Sequence, residues 1–337
     1  MGLMPAASAS FDGPNGKVLF ARVGEGIWSV RPDGGNPTQL TDSGVAPVAS
    51  PDGTQIAFLR RRENEVGEFK MVVFVMNADG SGAERVSGPL RGDAQNLAWS
   101  PDGRWIAYED LILVTEGEQV VPRSAIFVVR PNGNERTRLT TYGSRHSNPS
   151  WAPGSLRLAF TTPAGLFTIS RTQLEKQQVL NAELSPDEAT WSPTSSTIAF
   201  TATLPPAGDA SRSAIYTVRA DGTQLVQRTE GGSADVSPQW SPDGTRFSFM
   251  SWPGAAENPA DLWVMNANGS SMENLTAESD RPVNWRQRQA WSPDGTQIAF
   301  FIRGDIFRVN AGGGPVNTVV DNSVRESSLD WAVRPAG

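Results

Sequence analysis

Trp291-Ser292-Pro293-Asp294-Gly295-Thr296-Gln297-Ile298-Ala299-Phe300 recurs in imperfect copies from one end of the 337-residue chain to the other. Its local chemistry is that of a tight hairpin. Pro presets φ at the second turn position, Asp tolerates the third, and Gly supplies the left-handed residue. Ile298-Ala299-Phe300 then opens a strand of β-prone residues. The Trp position is filled by Trp99, Trp151, Trp191, Trp240, Trp291 and Trp331, with Ala49 standing in it before Ser50-Pro51-Asp52-Gly53. The spacings of 50, 52, 40, 49, 51 and 40 residues are too long for a solenoid rung and suit a four-stranded blade.

Each copy is followed by the same further elements. Second strands are expected at residues 17–22, 55–60, 104–109, 156–161, 197–202, 245–250 and 297–302. Third strands alternate apolar and aromatic residues, as in Ile27-Trp28-Ser29-Val30 and Leu262-Trp263-Val264-Met265. A second tight turn follows at Asp33-Gly34, Asp79-Gly80, Asn132-Gly133, Asp221-Gly222, Asn268-Gly269 and Gly312 to Gly314. The unit at Arg171 to Lys176 has no Gly there, so a rebuilt connection is expected. Fourth strands such as Thr38-Gln39-Leu40-Thr41 are short and polar, which blunts a sheet edge.

Ser327-Ser328-Leu329-Asp330-Trp331 reads as an inner strand with nothing after it, while the first unit, at Lys17, lacks one. We therefore expect an all-β, seven-bladed β-propeller of four-stranded antiparallel blades, its ring closed by the C-terminal strand pairing into the first blade. Six blades are the alternative. Residues 1–14 are expected to be a tail and 15–337 a single domain.

The repeated W-S-P-D-G-x-x-I-A-F, followed by I-W-V-M-N-A-D-G and L-T, resembles the TolB-type propeller repeat (PD40-type, WD40-like) over residues 17–331. Similar repeats form the propeller that covers the hydrolase domain in dipeptidyl-peptidase and prolyl-oligopeptidase relatives. The resemblance implies a bacterial binding platform, placed in the periplasm or outside the cell.

Composition narrows the chemistry. A net charge of −7 disfavours nucleic acid and anionic membrane as partners. The absence of Cys removes disulfides, thiolate catalysis and Cys-ligated metal. No run approaches the ~20 apolar residues of a membrane helix, and Met1 to Gly16 lacks the pattern of a secretory signal.

The repeated Asp52, Asp102, Asp243 and Asp294 are read as turn formers rather than metal ligands. The repeated Trp residues are read as wedges between sheets. His146 is the one histidine, too few for a multi-His metal site, and no G-x-S-x-G, P-loop or G-x-G-x-x-G occurs. We expect no catalytic residue, metal or cofactor, and no enzyme.

Both tight turns of a blade fall on one rim, so the opposite rim carries the variable connections, where binding resides on a rigid scaffold. Those connections include residues 60–68, 109–124, 204–209, 252–257 and 280–288. A protein or peptide is the expected partner of a monomer. Its expected contacts are Arg61, Arg62, Arg91, Arg145, His146, Trp252, Arg281, Trp285, Arg286 and Arg288. The competing reading is a propeller hydrolase or lyase using Asp187, Glu188, Asp235 and Asp280 at the channel mouth.

Overall fold

The computed structural model describes residues 11, 13–88, 92–204, 212–252, 260–277, 283, 289–321 and 326–335. Its strands form antiparallel sheets of four. Both chain ends build the first sheet: Glu326–Val333 pairs with Asn15–Arg22, which pairs with Gly26–Val30 and so on to Thr38–Thr41. The second comprises Val45–Ala49, Gln55–Glu63, Phe69–Asn77 and Glu84–Arg85. The third comprises Asp93–Trp99, Ile106–Glu116, Gln119–Val129 and Thr137–Arg138.

The fourth sheet runs from Ser147–Trp151 through Arg157–Thr162 and Gly165–Ser170 to Lys176–Leu180. The fifth runs from Pro186–Trp191 to Val226–Gln227, and the sixth from Ala234–Trp240 to Glu273–Asn274. One parallel bridge, Ser213 to Ala234, links these two sheets. The seventh holds Ala290–Trp291, Gln297–Ile302, Asp305–Asn310 and Asn317–Val320.

Strands buried on both faces explain the continuous apolar runs. Ile56 and Phe58 pack toward the first sheet, while Ala57 and Leu59 alternate toward the third. Every core cluster spans two consecutive sheets in this way, and one joins the seventh to the first through Phe301, Phe20 and Leu329.

The wedge tryptophans add a directional bond to this packing. Trp99 donates its indole N–H to the Val48 carbonyl at 3.0 Å, and Trp151 to that of Ala98 at 3.0 Å. Trp240 donates to Thr190 at 3.2 Å, and Trp291 to Gln239 at 3.0 Å. Each acceptor immediately precedes the wedge position of the sheet before. Burying ~200 Å² per indole at ~25 cal/mol per Å² gives roughly 5 kcal/mol gross, an upper bound.

Two junctions substitute a different link. Trp191 bonds its own turn at Ser195, and its backbone N–H is taken instead by Ser150 Oγ of the fourth sheet at 2.8 Å. Ala49 has no indole, and its N–H goes to Asp330 of the first sheet at 2.8 Å. Trp331 Nε1 is buried without a partner.

The repeated aspartates accept hydrogen bonds within their own turns. Asp294 accepts from Ser292 Oγ at 2.7 Å, Thr296 N at 3.0 Å and Thr296 Oγ1 at 2.7 Å, while Gly295 sits at φ 69°. Asp52 and Asp243 repeat the pattern. Where the fourth sheet lacks a turn glycine, Leu174 takes the left-handed position at φ 54°.

Two outcomes test these links. Trp→Phe at 99, 151 or 240 should cost about 1–3 kcal/mol in urea unfolding, through lost volume and a lost hydrogen bond. Trp331→Phe, which removes an unpaired donor, should cost measurably less.

Burial opposes charge at Asp52, Asp243 and Asp294, but the turn hydrogen bonds outweigh it and hold all three carboxyls below their ordinary value. Their contribution to stability is therefore complete above the unfolded value of about 4 and is lost as pH falls through the lower folded values. A triple Asp→Asn variant should be less stable than wild type at pH 7. The gap should narrow below about pH 4; an unchanging gap would remove the carboxylates as its source.

Candidate functional site

On the rim opposite the tight turns, two of the expected loops are instead long hairpins. Residues 60–68 continue the second sheet, with Arg61 paired to Met71 and Glu63 to Phe69 around a turn at Asn64 to Glu68. Residues 109–124 continue the third sheet, with Leu113 paired to Pro122 and Glu116 to Gln119. Runs such as Leu111-Ile112-Leu113-Val114 are β-prone, so the strands prolong themselves past their neighbours.

Past Leu111 on one arm, and past the Ser124–Gly143 bridge on the other, no described strand pairs with the hairpin's outer edges. Leu113 (69% exposed), Val120 (63%) and Pro122 share one face by strand periodicity. Val66 (77%) and Phe69 (52%) crown the neighbouring hairpin. Arg61 lies 4.4 Å over the Phe69 ring and Arg62 5.2 Å over Phe74. Among the described residues no carboxylate pairs with either guanidinium. Isolated apolar side chains on a surface are ordinary, but these cluster on two neighbouring hairpins, one of which has outer edges that no described strand pairs.

Deeper in, the innermost strands share a distortion. Ala46, Asn96, Asn148, Glu188 and Ser237 all have φ between 51° and 56°, and each stands three residues before its wedge position. The pairing register shifts there in every case, which defines a β-bulge.

Polar side chains then tie the bulges across sheets. Glu188 accepts from Ser237 N at 2.7 Å and Ser237 Oγ at 2.9 Å in the sixth sheet, and from Thr201 Oγ1 at 3.2 Å. Asp187 reaches the other way, to Asn148 Nδ2 at 3.1 Å in the fourth sheet. Ser328 Oγ takes the Ala46 N–H at 3.0 Å. Asp235 is buried and accepts from Ser233 and Ser251, both at 2.6 Å. The three described carboxylates of the competing reading thus stitch strands together; Asp280 lies outside the described residues.

The sequence reading missed Glu109 and Asp110. Glu109 is 1% exposed and accepts from Asn96 Nδ2 at 2.7 Å. Burial pushes its carboxyl up, against the pull of Asn96 and of the Arg145 charge. Burial also raises Asp110, opposed by a hydrogen bond from the Tyr142 hydroxyl and by Arg136. Tyr108 is pushed up to about 12 by burial, with Arg136 Nε against its hydroxyl at 2.6 Å. Adjacent strand residues point to opposite faces, so Glu109 and Asp110 do not form a carboxylate pair with each other. The legible signal is positional: equivalent second-strand positions hold Leu59, Thr161, Thr201, Met250 and Phe301, none of them acidic.

Of the expected contacts, Arg61, Arg62 and Arg145 are exposed, and Trp252 is half-buried at the end of Arg246–Trp252. His146 is not a rim contact. It is 7% exposed, with Nδ1 2.9 Å from the Ser124 carbonyl and its ring against Phe160, and burial lowers its pKa. Arg91, Arg281, Trp285, Arg286 and Arg288 lie outside the described residues. Among the described residues no cluster of His, Asp and Glu is arranged to hold a metal. Among the described residues no helix is long and apolar enough to cross a membrane.

Four-stranded antiparallel sheets locked side by side through a repeated wedge residue define a β-propeller. Its fold is that of the TolB-like, WD40-like propellers. TolB from Acinetobacter baumannii is 18% identical over 84% of this chain and 67% of its own, with a TM-score of 0.59. Oligogalacturonate lyase from Vibrio parahaemolyticus is 12% identical over 93% and 87%, at 0.62. An acylaminoacyl peptidase from Pyrococcus horikoshii is 13% identical over 83% of this chain but 46% of its own, at 0.57. No family model matches the chain.

At these identities the likeness is one of fold. It corrects one expectation: the neighbours include a lyase and a peptidase as well as TolB, so the exclusion of an enzyme does not stand.

Glu188 offers a direct test of the stitching. Glu188→Ala strands the buried Ser237 donors and should cost about 1–3 kcal/mol in urea unfolding. Glu188→Gln, which keeps one oxygen, should restore part of the loss; equal stability of Ala, Gln and wild type would remove the link.

Proposed function

We propose that the sheets are the blades of a closed seven-bladed propeller, one monomeric domain over residues 15–337, that binds a protein or peptide on the rim opposite its tight turns. The observation that carries this reading is the pair of neighbouring hairpins that outrun their sheets and expose Val66, Phe69, Leu113 and Val120. The outer edges of the third-sheet hairpin, which no described strand pairs past Leu111 and the Ser124–Gly143 bridge, suit strand addition by an extended segment, with backbone bonds giving affinity and the apolar side chains of both hairpins giving pockets. Arg61 and Arg62, stacked on rings, favour acidic side chains in that segment.

The scaffold supports the role because its inner strands are cross-bonded from sheet to sheet, so the hairpins rise from a rigid base. Catalysis elsewhere on the molecule is compatible with this reading.

Affinity capture from source-cell extract tests it. Wild type is compared with a variant carrying Arg61→Glu, Phe69→Ser, Leu113→Ser and Val120→Ser, all exposed positions. A partner retained by wild type and lost by the variant, at unchanged melting temperature, is the expected result. Partners recovered equally by both would place binding away from these hairpins.

A further inference from the structure

The second sheet departs from the repeat at one residue, Ala49, and a cavity lies where the missing indole belongs. Its volume is about 540 Å³, and it opens between the first and second sheets on the tight-turn rim. Ala49 and Ile56 line it from the second sheet, and Leu19 and Val333 from the first. All four are buried apolar residues. At the neighbouring junction the equivalent space is filled by Trp99, in one core cluster with Val48 and Ile106.

The mouth has the opposite character. Lys17, Arg31 and Arg334 line it and are exposed, against one acid, Asp79. None of these cations is locked in place. Lys17 Nζ is 3.5 Å from Ser29 Oγ, and Arg334 Nε reaches the Asn15 carbonyl at 3.2 Å. Arg31 faces Asp33 at 3.3 Å with both side chains more than half exposed, a pairing of little strength. In a chain of net charge −7 this is a local reversal of sign.

We propose that this cavity is a binding site for a small planar aromatic carboxylate, whose ring takes the place of the absent indole and whose carboxylate meets the Lys17, Arg31 and Arg334 cations. Planarity follows from the gap: the equivalent space at the next junction holds an indole. The anionic group follows from the three cations, Lys17, Arg31 and Arg334, set against the single acid Asp79 among the described lining residues. The vacancy is tolerated because Asp330 already takes the Ala49 N–H, so the junction stays linked without the wedge. The site is separate from the hairpin rim and stands or falls independently of it.

Isothermal titration with 2-naphthoate, and with uncharged 2-naphthylmethanol as its partner probe, tests the inference. Wild type should bind the carboxylate saturably, and bind the alcohol about tenfold or more weaker for want of the charged contacts. Ala49→Trp should raise the melting temperature and abolish binding by refilling the space. Lys17→Glu with Arg31→Glu, both exposed and so safe for folding, should weaken the carboxylate and leave the alcohol unchanged. Absence of binding to wild type, or naphthoate binding undiminished in the double variant, overturns the proposal even if Ala49→Trp fails to fold.

Discussion

An indole N–H that reaches back one sheet is the interaction on which the stacking of this protein depends. Apolar faces attract without direction, so two sheets packed only by Ile, Phe and Val could settle at several heights. A bond from Trp99 to the Val48 carbonyl, or from Trp240 to that of Thr190, fixes both height and rotation. The constraint is general enough that its failures are compensated. At Trp191 and Ala49, where no indole crosses, the residue before the preceding wedge position turns its side chain to the task, as Ser150 and Asp330. At Trp331 the indole N–H is unpaired, and the junction is tied instead by Asn15, which exchanges hydrogen bonds with Asp294 of the seventh sheet at 2.8 and 3.1 Å, beside the packing of Phe20, Phe301 and Leu329.

The bulges follow from the same geometry. An extra residue in the innermost strand sharpens its bend and frees a backbone N–H. Buried in a protein, that group needs an acceptor. Glu188 and Ser328 supply it from the preceding sheet. Carboxylates that look available for chemistry in sequence, Asp187 and Glu188, are thereby turned to opposite neighbours as structural acceptors. The mouth becomes stiff, and freedom to vary passes outward to the hairpins.

Much of this was legible. The turn at Ser292 to Gly295 rests on local hydrogen bonds, so its residues announce it, and the wedge announces itself by repetition. The C-terminal strand was readable because a lone inner strand at one end matched a missing one at the other. The bulges were not. Left-handed φ usually advertises itself with Gly, yet here Ala46, Glu188 and Ser237 hold it, because tertiary bonds rather than local preference set the angle. Hairpin length failed for a related reason. Arg61-Arg62-Glu63 and Thr115-Glu116 are polar enough to read as loop, and only cross-strand pairing makes them strand. His146 misled in the opposite direction, its polar neighbours suggesting surface while its ring lies against Phe160.

A repeat held by contacts at every junction leaves few places for a protein to differ from itself. A hairpin tip is one, since lengthening it disturbs nothing beyond its own two arms. The junction between first and second sheets is another, for a less obvious reason. There the first-sheet strands Glu326–Val333 and Asn15–Arg22 pair with each other, and Ala49 stands in place of the wedge. Without the wedge indole the junction is linked by Asp330, which reaches Ala49 N, and Ser328, which reaches Ala46 N, so the linking is moved into side chains of Glu326–Val333. What remains is a junction aligned by polar bonds at its inner edge and relieved of its apolar filler, a combination that keeps a cavity open without loosening the sheets around it.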